Sequence, residues 1–381
     1  MRFEPPPLGL YVHWPYCARI CPYCDFNVVR DRGRSAEAES LLRAVLTDLD
    51  GQAALLGERR LVSIFFGGGT PSLMRPGDVA RVIEAARRLW PAAADLEVTL
   101  EANPTDAEAG RFAALAEAGV NRLSLGVQSL DDDELAFLGR NHDAATARRA
   151  VERAMACFPQ VSVDLIYALP SQTPAAWAAA LAQVGDFGVE HISPYQLTIE
   201  PGTAFDRAVR RKLFAPPTDD LAAELYEITQ STLAALGFEA YEVSNHARGL
   251  AARSRHNLVY WRGEDYVGVG PGAHGRLSLA DGRRAAETPR AIPDYITRVE
   301  AEGVGAMLTP LSLRDRAIER LLMGLRTVEG VARADLEPLA IPPARIADLG
   351  GLVRLTESRL VATARGRPVL DRIIAKLADA A

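Results

Sequence analysis

The chain has 381 residues, 48% of them hydrophobic, and a formal net charge of −6; its mean hydropathy is near zero. A chain of this length buries roughly three quarters of its unfolded surface and suits one large domain or two. The acidic balance argues against nonspecific binding to nucleic acid or lipid surfaces, which leaves a basic footprint. No apolar run approaches the ~20 residues of a membrane span, and Met1–Leu8 lacks the apolar stretch of a secretion signal. No integral membrane segment is expected.

A strand is predicted over Leu8–His13, followed by a loop that carries Cys17, Cys21 and Cys24, and then a helix over Ser35–Leu56. The next strand, Leu61–Phe66, is apolar with β-branched and aromatic residues and ends at Gly67-Gly68-Gly69-Thr70. A helix near Asp78–Leu89, a strand at Leu96–Glu101 and a helix at Asp106–Ala118 follow. Further strands fit Arg122–Val127, Val161–Ile166 and His191–Leu197, with Ala-rich helical stretches between them. Repeated βα units with short loops imply parallel strands and right-handed crossovers. About six such units suggest an α/β fold built as an incomplete (β/α)6 barrel over residues 1–245. Gly67–Thr70, Glu101, Gln128 and Asp164 each fall at or near a strand end, which in α/β barrels is the active face. The cysteine loop shares that rim. Residues 246–300, rich in Gly, Arg and aromatics, read as a connecting region. Residues 301–381 read as a smaller, mainly helical C-terminal domain: helices at Ser312–Leu325 and near Pro343–Leu349, a hairpin of Gly351–Leu355 and Leu360–Ala364, and a last helix at Pro368–Ala380. That order is winged-helix-like, but basic and acidic residues nearly balance there, so no nucleic-acid partner is expected.

The cysteines are spaced C-x3-C-x2-C. Three thiolates within eight residues can hold one corner of an iron–sulfur cubane, leaving the fourth iron open to a small molecule. The alternatives are buried structural cysteines or a zinc site with His13 as fourth ligand. Cys157 stands alone and reads as a small core residue. Three clustered thiols and one leftover do not make a disulfide framework, so a reducing cytoplasm is expected. The glycine run suits close approach of a ligand to backbone N–H donors, though a bare GGG turn is also just a strand-ending loop.

The cysteine spacing resembles the signature of radical S-adenosylmethionine (SAM) proteins, in which SAM chelates the open iron of a [4Fe-4S] cluster. The resemblance extends through Tyr11-x-His13-x-Pro15-Tyr16-Cys17, Gly67–Ser72, Glu101-x-Asn103-Pro104, Gly126-Val-Gln128-Ser129 and Asp164-Leu-Ile-Tyr167 to the oxygen-independent coproporphyrinogen III oxidase family. It implies that Tyr11, Gly68, Gly69, Thr70 and Glu101 line the SAM pocket. It also implies that Tyr23, Gln128, Arg140 and Asp164 contact SAM or a second SAM molecule, with Arg140 as a two-donor fork for a carboxylate. Each of these four is otherwise a plain salt-bridge or capping residue. Two departures stand out: Phe26 occupies the position of the oxidases' fourth cysteine, and their longer N-terminal extension is missing. His256-Asn257-x-x-Tyr260-Trp261 instead matches the H-N-x-x-Y-W motif of HemW-type haem chaperones. A His can ligate haem iron, and Tyr and Trp can stack on the macrocycle; alternatively His256 is a satisfied loop histidine and the aromatics pack in the core. Gly268-Val-Gly270-Pro-Gly272 would suit a backbone pressed on a flat ligand, with His274 as a second ligand. The implied cofactors are a [4Fe-4S] cluster, SAM and haem. The implied partners are an acceptor haemoprotein, such as one of the respiratory chain, and a second copy of the chain in a homodimer. The competing function is the oxidase reaction itself.

Overall fold

The computed structural model describes residues 5–33 and 35–378. Six strands, β1 (Pro7–Trp14), β2 (Arg60–Gly68), β3 (Ala92–Ala102), β4 (Arg122–Gln128), β5 (Gln160–Tyr167) and β6 (His191–Gln196), pair consecutively and in parallel. Their buried positions run nearly continuously rather than alternating, as in β1 and β5, the pattern of strands covered on both faces. The crossovers include α1 (Ser35–Leu56), α2 (Pro76–Leu89), α3 (Ala144–Cys157) and α4 (Pro174–Gly185). Helix starts follow local chemistry. Asp143 caps α3 by accepting from the Thr146 N–H, and Thr173 caps α4 by accepting from Ala176. The helix expected over Asp106–Ala118 is broken into Asp106–Ala109 and Phe112–Glu117. Arg111 at the break donates to the Met74 carbonyl.

The region expected only to connect two parts is built into the main sheet. His246–Ala247 pairs antiparallel with β6 at one edge. At the other edge, β7 (Asp265–Val269) adds a seventh parallel strand beside β1, with Tyr11 opposite Gly268. From β7 the sheet continues antiparallel through β8 (His274–Leu279), β9 (Gly282–Glu287) and β10 (Met307–Pro310). The fold is therefore an α/β incomplete barrel with an antiparallel extension on its leading edge. Between the two edges runs α5 (Arg255–Arg262), the helix of the H-N-x-x-Y-W motif, packed against β1, β2 and β7.

The C-terminal part has its own core of Leu321, Leu325, Val331, Leu336, Leu360, Ile373 and Leu377. It consists of α6 (Leu313–Gly324), a small antiparallel sheet of Val331–Ala332, Arg359–Ala362 and Val353–Leu355, and α7 (Leu370–Ala378). The last helix was expected to reach Ala380, which lies outside the described residues, as do residues 1–4. A capping box of Ser312 and Asp315 starts α6. This helix packs directly on α5.

Candidate functional site

Three features of the chain converge at the C-terminal ends of β1–β5. The loop after β1 brings Cys17, Cys21 and Cys24 to the mouth of a cavity of ≈ 400 Å³. The turn after β2 supplies Gly68, Gly69 and Thr70, and β3, β4 and β5 supply Glu101, Gln128 and Asp164. The glycines are required there. A Cβ on Gly69 would lie 2.7 Å from the Pro15 carbonyl carbon and the Tyr16 oxygen, and Gly68 has φ +105° with the His13 ring against it. The turn is thus pressed on the cysteine loop, with Gly69 N–H donating to Trp14 O and Thr70 N–H to Tyr16 O, both at 2.8 Å. Gln128 holds a φ of +68°, a strained backbone for a non-glycine residue at a strand end.

The carboxylates are buried and electrically coupled. Glu101 Oε2 accepts from the Gly68 N–H at 3.2 Å. Burial, and then the Asp164 carboxylate, push its pKa up to about 8, against the pull of that N–H. Asp164 is raised to about 6 by burial and held back by serine hydroxyls, with Ser124 and Ser162 donating at 2.7 and 3.0 Å. Arg140 reaches in from beyond β4. One terminal nitrogen donates to Cys21 Sγ at 3.2 Å and Tyr23 Oη at 3.3 Å, the other to Asn103 and the Gly126 carbonyl. Its fork, expected to face a carboxylate, here ties Tyr23 and the cysteine loop to the barrel. Its buried Nε has no partner among the described residues. Sequence reasoning missed Asn103, which joins Arg140 to Thr70, and the cavity floor of Thr99, Arg122 and Ser162, whose role shows only once the strands are aligned.

The cysteine set fits a cubane. All three thiols are free and face one cavity. Among the described residues no three thiol, imidazole or carboxylate groups converge as one metal ion requires; in a cubane each thiolate takes its own iron, so such convergence is not needed. Burial pushes Cys17 up and Cys24 to about 11, so both keep their protons at neutral pH until a metal centre displaces them. His13 is not disposed as a fourth ligand. Its Nε2 lies 2.8 Å from the Asn27 carbonyl, which can only accept, so Nε2 carries the proton and Nδ1 accepts from Tyr11 Oη at 3.1 Å. Tyr11 lines a neighbouring cavity rather than the cysteine one.

The H-N-x-x-Y-W residues are split. Asn257 faces the floor of the cysteine cavity. His256 is 1% exposed and stacks on Phe65 at 4.9 Å. Its Nδ1 lies 2.9 Å from Ser63 Oγ and its Nε2 2.6 Å from Tyr260 Oη. Burial alone lowers its pKa to about 3. Both ring nitrogens are thus engaged, so the expectation of an open iron-ligating histidine gives way here to that of a satisfied interior one. The Glu97 carboxylate fixes the helix start by accepting from the Arg255 and His256 N–H groups. Trp261 lines none of the cavities described here; its carbonyl accepts from Arg320 of α6. The glycines at 268–272 face the protein itself. A Cβ on Gly268 would strike the His274 carbonyl, on Gly270 the His13 carbonyl, and on Gly272 the Asn27 side chain.

A second cavity, of ≈ 580 Å³, adjoins the first and shares Phe26, Gly68 and Glu101 with it. His274, Glu287, Tyr260, Tyr266 and Arg290 lie along its remaining sides.

Comparison with known proteins agrees with this geometry. The radical SAM superfamily model matches residues 11–184. The mitochondrial radical S-adenosyl methionine domain-containing protein 1 of Bos taurus is 44% identical over 85% of this chain and 74% of its own length. The heme chaperone HemW of Escherichia coli (strain K12) is 40% identical over 73% of this chain and 72% of its own. That of Mycobacterium tuberculosis (strain CDC 1551 / Oshkosh) is 34% identical over 97% and 95%. Among solved structures, the E. coli coproporphyrinogen III oxidase HemN superposes with a TM-score of 0.81 over 99% of this chain and 91% of its own, at 23% identity, a likeness of fold. With a radical SAM cysteine loop at the barrel mouth and full-length relatives at this identity, the chain belongs to the HemW family of the radical SAM superfamily.

Proposed function

We propose that the protein binds haem and passes it to an acceptor haemoprotein, using a SAM-ligated [4Fe-4S] cluster held by Cys17, Cys21 and Cys24. The observation that carries the reading is the pairing of two cavities: one rimmed by the cysteines, the other large enough for a flat ligand and bounded by aromatic and imidazole groups. Binding cavities for such ligands span roughly 300–1,000 Å³. Relatives at 40% and 34% identity carry the name heme chaperone. When bound, the cluster supplies a reducing electron and an open iron for the amino and carboxylate groups of SAM.

The chain's own residues give that chemistry its frame. Glu101, beside the glycine turn, receives the amino end of SAM by accepting from it, and Glu101 holds a proton on Oε until a cation displaces it. Asp164 offers carboxylate oxygens to hydroxyl groups, while Arg140, Tyr23 and Gln128 border the same space. Tyr11 and Tyr260 line the second cavity, and His256 anchors Tyr260. The free thiols agree with a reducing cytoplasm, which cell fractionation checks; no described helix is long and apolar enough to cross a membrane.

Phe26, where the oxidases carry a fourth cysteine, favours this reading over decarboxylation of coproporphyrinogen. The test is one anaerobic reaction of the cluster-reconstituted protein with coproporphyrinogen III, SAM, reductant and haem. The expected result is protein-bound haem with coproporphyrinogen unchanged. Protoporphyrinogen formed with matching SAM cleavage would make the protein an oxidase.

A further inference from the structure

We propose that the second cavity is the haem seat and that His274, not His256, supplies the axial ligand to iron. The inference rests on the haem reading above and assigns its site. His274 opens β8 and is 60% exposed; its Nδ1 lies 3.8 Å from Glu287 Oε1 on the paired strand β9. That separation is longer than a hydrogen bond, so Glu287 stands beside the imidazole as a nearby anion. Nε2 of His274 has no hydrogen-bond partner among the described residues, whereas both nitrogens of His256 are taken. Haem brings four iron ligands of its own, so a single protein imidazole completes a five-coordinate site.

The surroundings combine aromatic rings and one guanidinium with the carboxyl groups of Glu101 and Glu287. Phe26, 62% exposed, presents its ring at the cavity edge. Tyr266 and Tyr260 form an edge-to-face pair, with centroids 4.5 Å apart, that walls the inner side. Arg290 lines the opening with a guanidinium that makes no ion pair among the described residues, a free partner for a propionate. This also gives the H-N-x-x-Y-W helix its place: it supplies Tyr260 as a wall, and His256 positions that wall through its 2.6 Å contact with the phenol. His256 is a positioning residue, and His274 is the one that meets iron.

Haem titration of the reconstituted protein, followed by the Soret band and by resonance Raman of the iron–histidine stretch, tests the assignment. Wild type, His274→Ala, Arg290→Ala, Glu287→Gln and His256→Ala are compared, with cluster iron and thermal midpoint recorded for each. His274→Ala should lose the histidine signature, bind haem at least 10-fold more weakly and regain the signature when imidazole is added. Glu287→Gln should weaken haem roughly 10-fold and Arg290→Ala by a similar factor, both with the cluster intact. His256→Ala should keep the histidine signature. The assignment is overturned if His274→Ala retains wild-type affinity and spectrum, or if His256→Ala alone abolishes the histidine signature. Wild-type protein that takes up no haem would sink the chaperone reading itself, a distinct failure.

Discussion

His256→Ala separates a structural histidine from a ligand by stability as well as by spectrum. The substitution leaves Ser63 Oγ and Tyr260 Oη without their buried partner, at about 1–3 kcal/mol for each unsatisfied group. It also opens a hole against Phe65. Taken together, the expected cost is about 4 kcal/mol at pH 7, a large share of the ~5–15 kcal/mol that holds a domain folded. That cost should shrink in acid. His256 has a folded pKa of about 3 against 6.5 unfolded, so between those values the unfolded chain binds a proton that the folded one refuses, and wild-type stability falls as pH drops. From pH 7 to pH 5 this group accounts for about 2 kcal/mol; the variant lacks it, so the gap between the two proteins should narrow to about 2 kcal/mol. Buried His142 and His246, both near 4, titrate with the same sign in both proteins and cancel in the difference. Urea unfolding at the two pH values reads the gap. A cost below 1 kcal/mol at pH 7, or a gap unchanged at pH 5, would refute the account of His256 as a neutral, doubly bonded core residue.

Replacing any one of Cys17, Cys21 or Cys24 with Ser should reduce cluster iron and sulfide to background after reconstitution, whereas Cys157→Ser should leave both unchanged. Glu101→Gln should stabilise the ligand-free protein at pH 9 by roughly 2–4 kcal/mol. With a folded pKa of about 8 against 4.5 unfolded, wild type loses stability as pH rises through that window, and the amide still accepts from the Gly68 N–H. The same variant should bind SAM more weakly, read by equilibrium dialysis; a gain in both stability and affinity would contradict the site. Gly69→Ala forces a Cβ to within 2.7–2.8 Å of the Pro15 and Tyr16 backbone, so it should lower the thermal midpoint and impair cluster loading together.

Local chemistry made most of the barrel legible. Apolar strands ending in glycine or a polar residue gave the six parallel strands to within a few residues, and the Ser35–Leu56 helix has the expected ends. Residues 246–300 were not legible, because β7 pairs with β1 across more than 250 residues and its short apolar stretch carries no trace of that partner. The glycines there misled for a related reason: a glycine that lets two backbones meet looks, in sequence, like one that admits a ligand. His256 shows the same limit. Whether a histidine beside two aromatics binds iron or fills a core depends on Ser63 and Phe65, which lie nearly 200 residues earlier. His274 was legible as a second candidate ligand, but its neighbour Glu287 was not, since only the β8–β9 register brings the carboxylate near the imidazole.

The shared wall between the cavities predicts coupling between their occupants. Phe26, Gly68 and Glu101 border both spaces, and Glu101 is already held between the Gly68 N–H and the field of Asp164. The sulfonium of SAM, a cation brought into the cysteine cavity, draws that carboxyl toward its ionised form, which puts a negative charge on the boundary of the haem cavity. A dianionic ligand there should then be held less tightly, so SAM should promote haem release. Coupling of this kind typically amounts to ~5–150-fold and is reciprocal by thermodynamic necessity: haem must weaken SAM binding by the same factor. Titrating haem with and without saturating SAM, then SAM with and without haem, measures both sides of the cycle on cluster-loaded protein. Glu101→Gln, which cannot ionise, should bring the factor close to one. If haem affinity is indifferent to SAM in the wild type, the two cavities act independently and the common wall is only a partition.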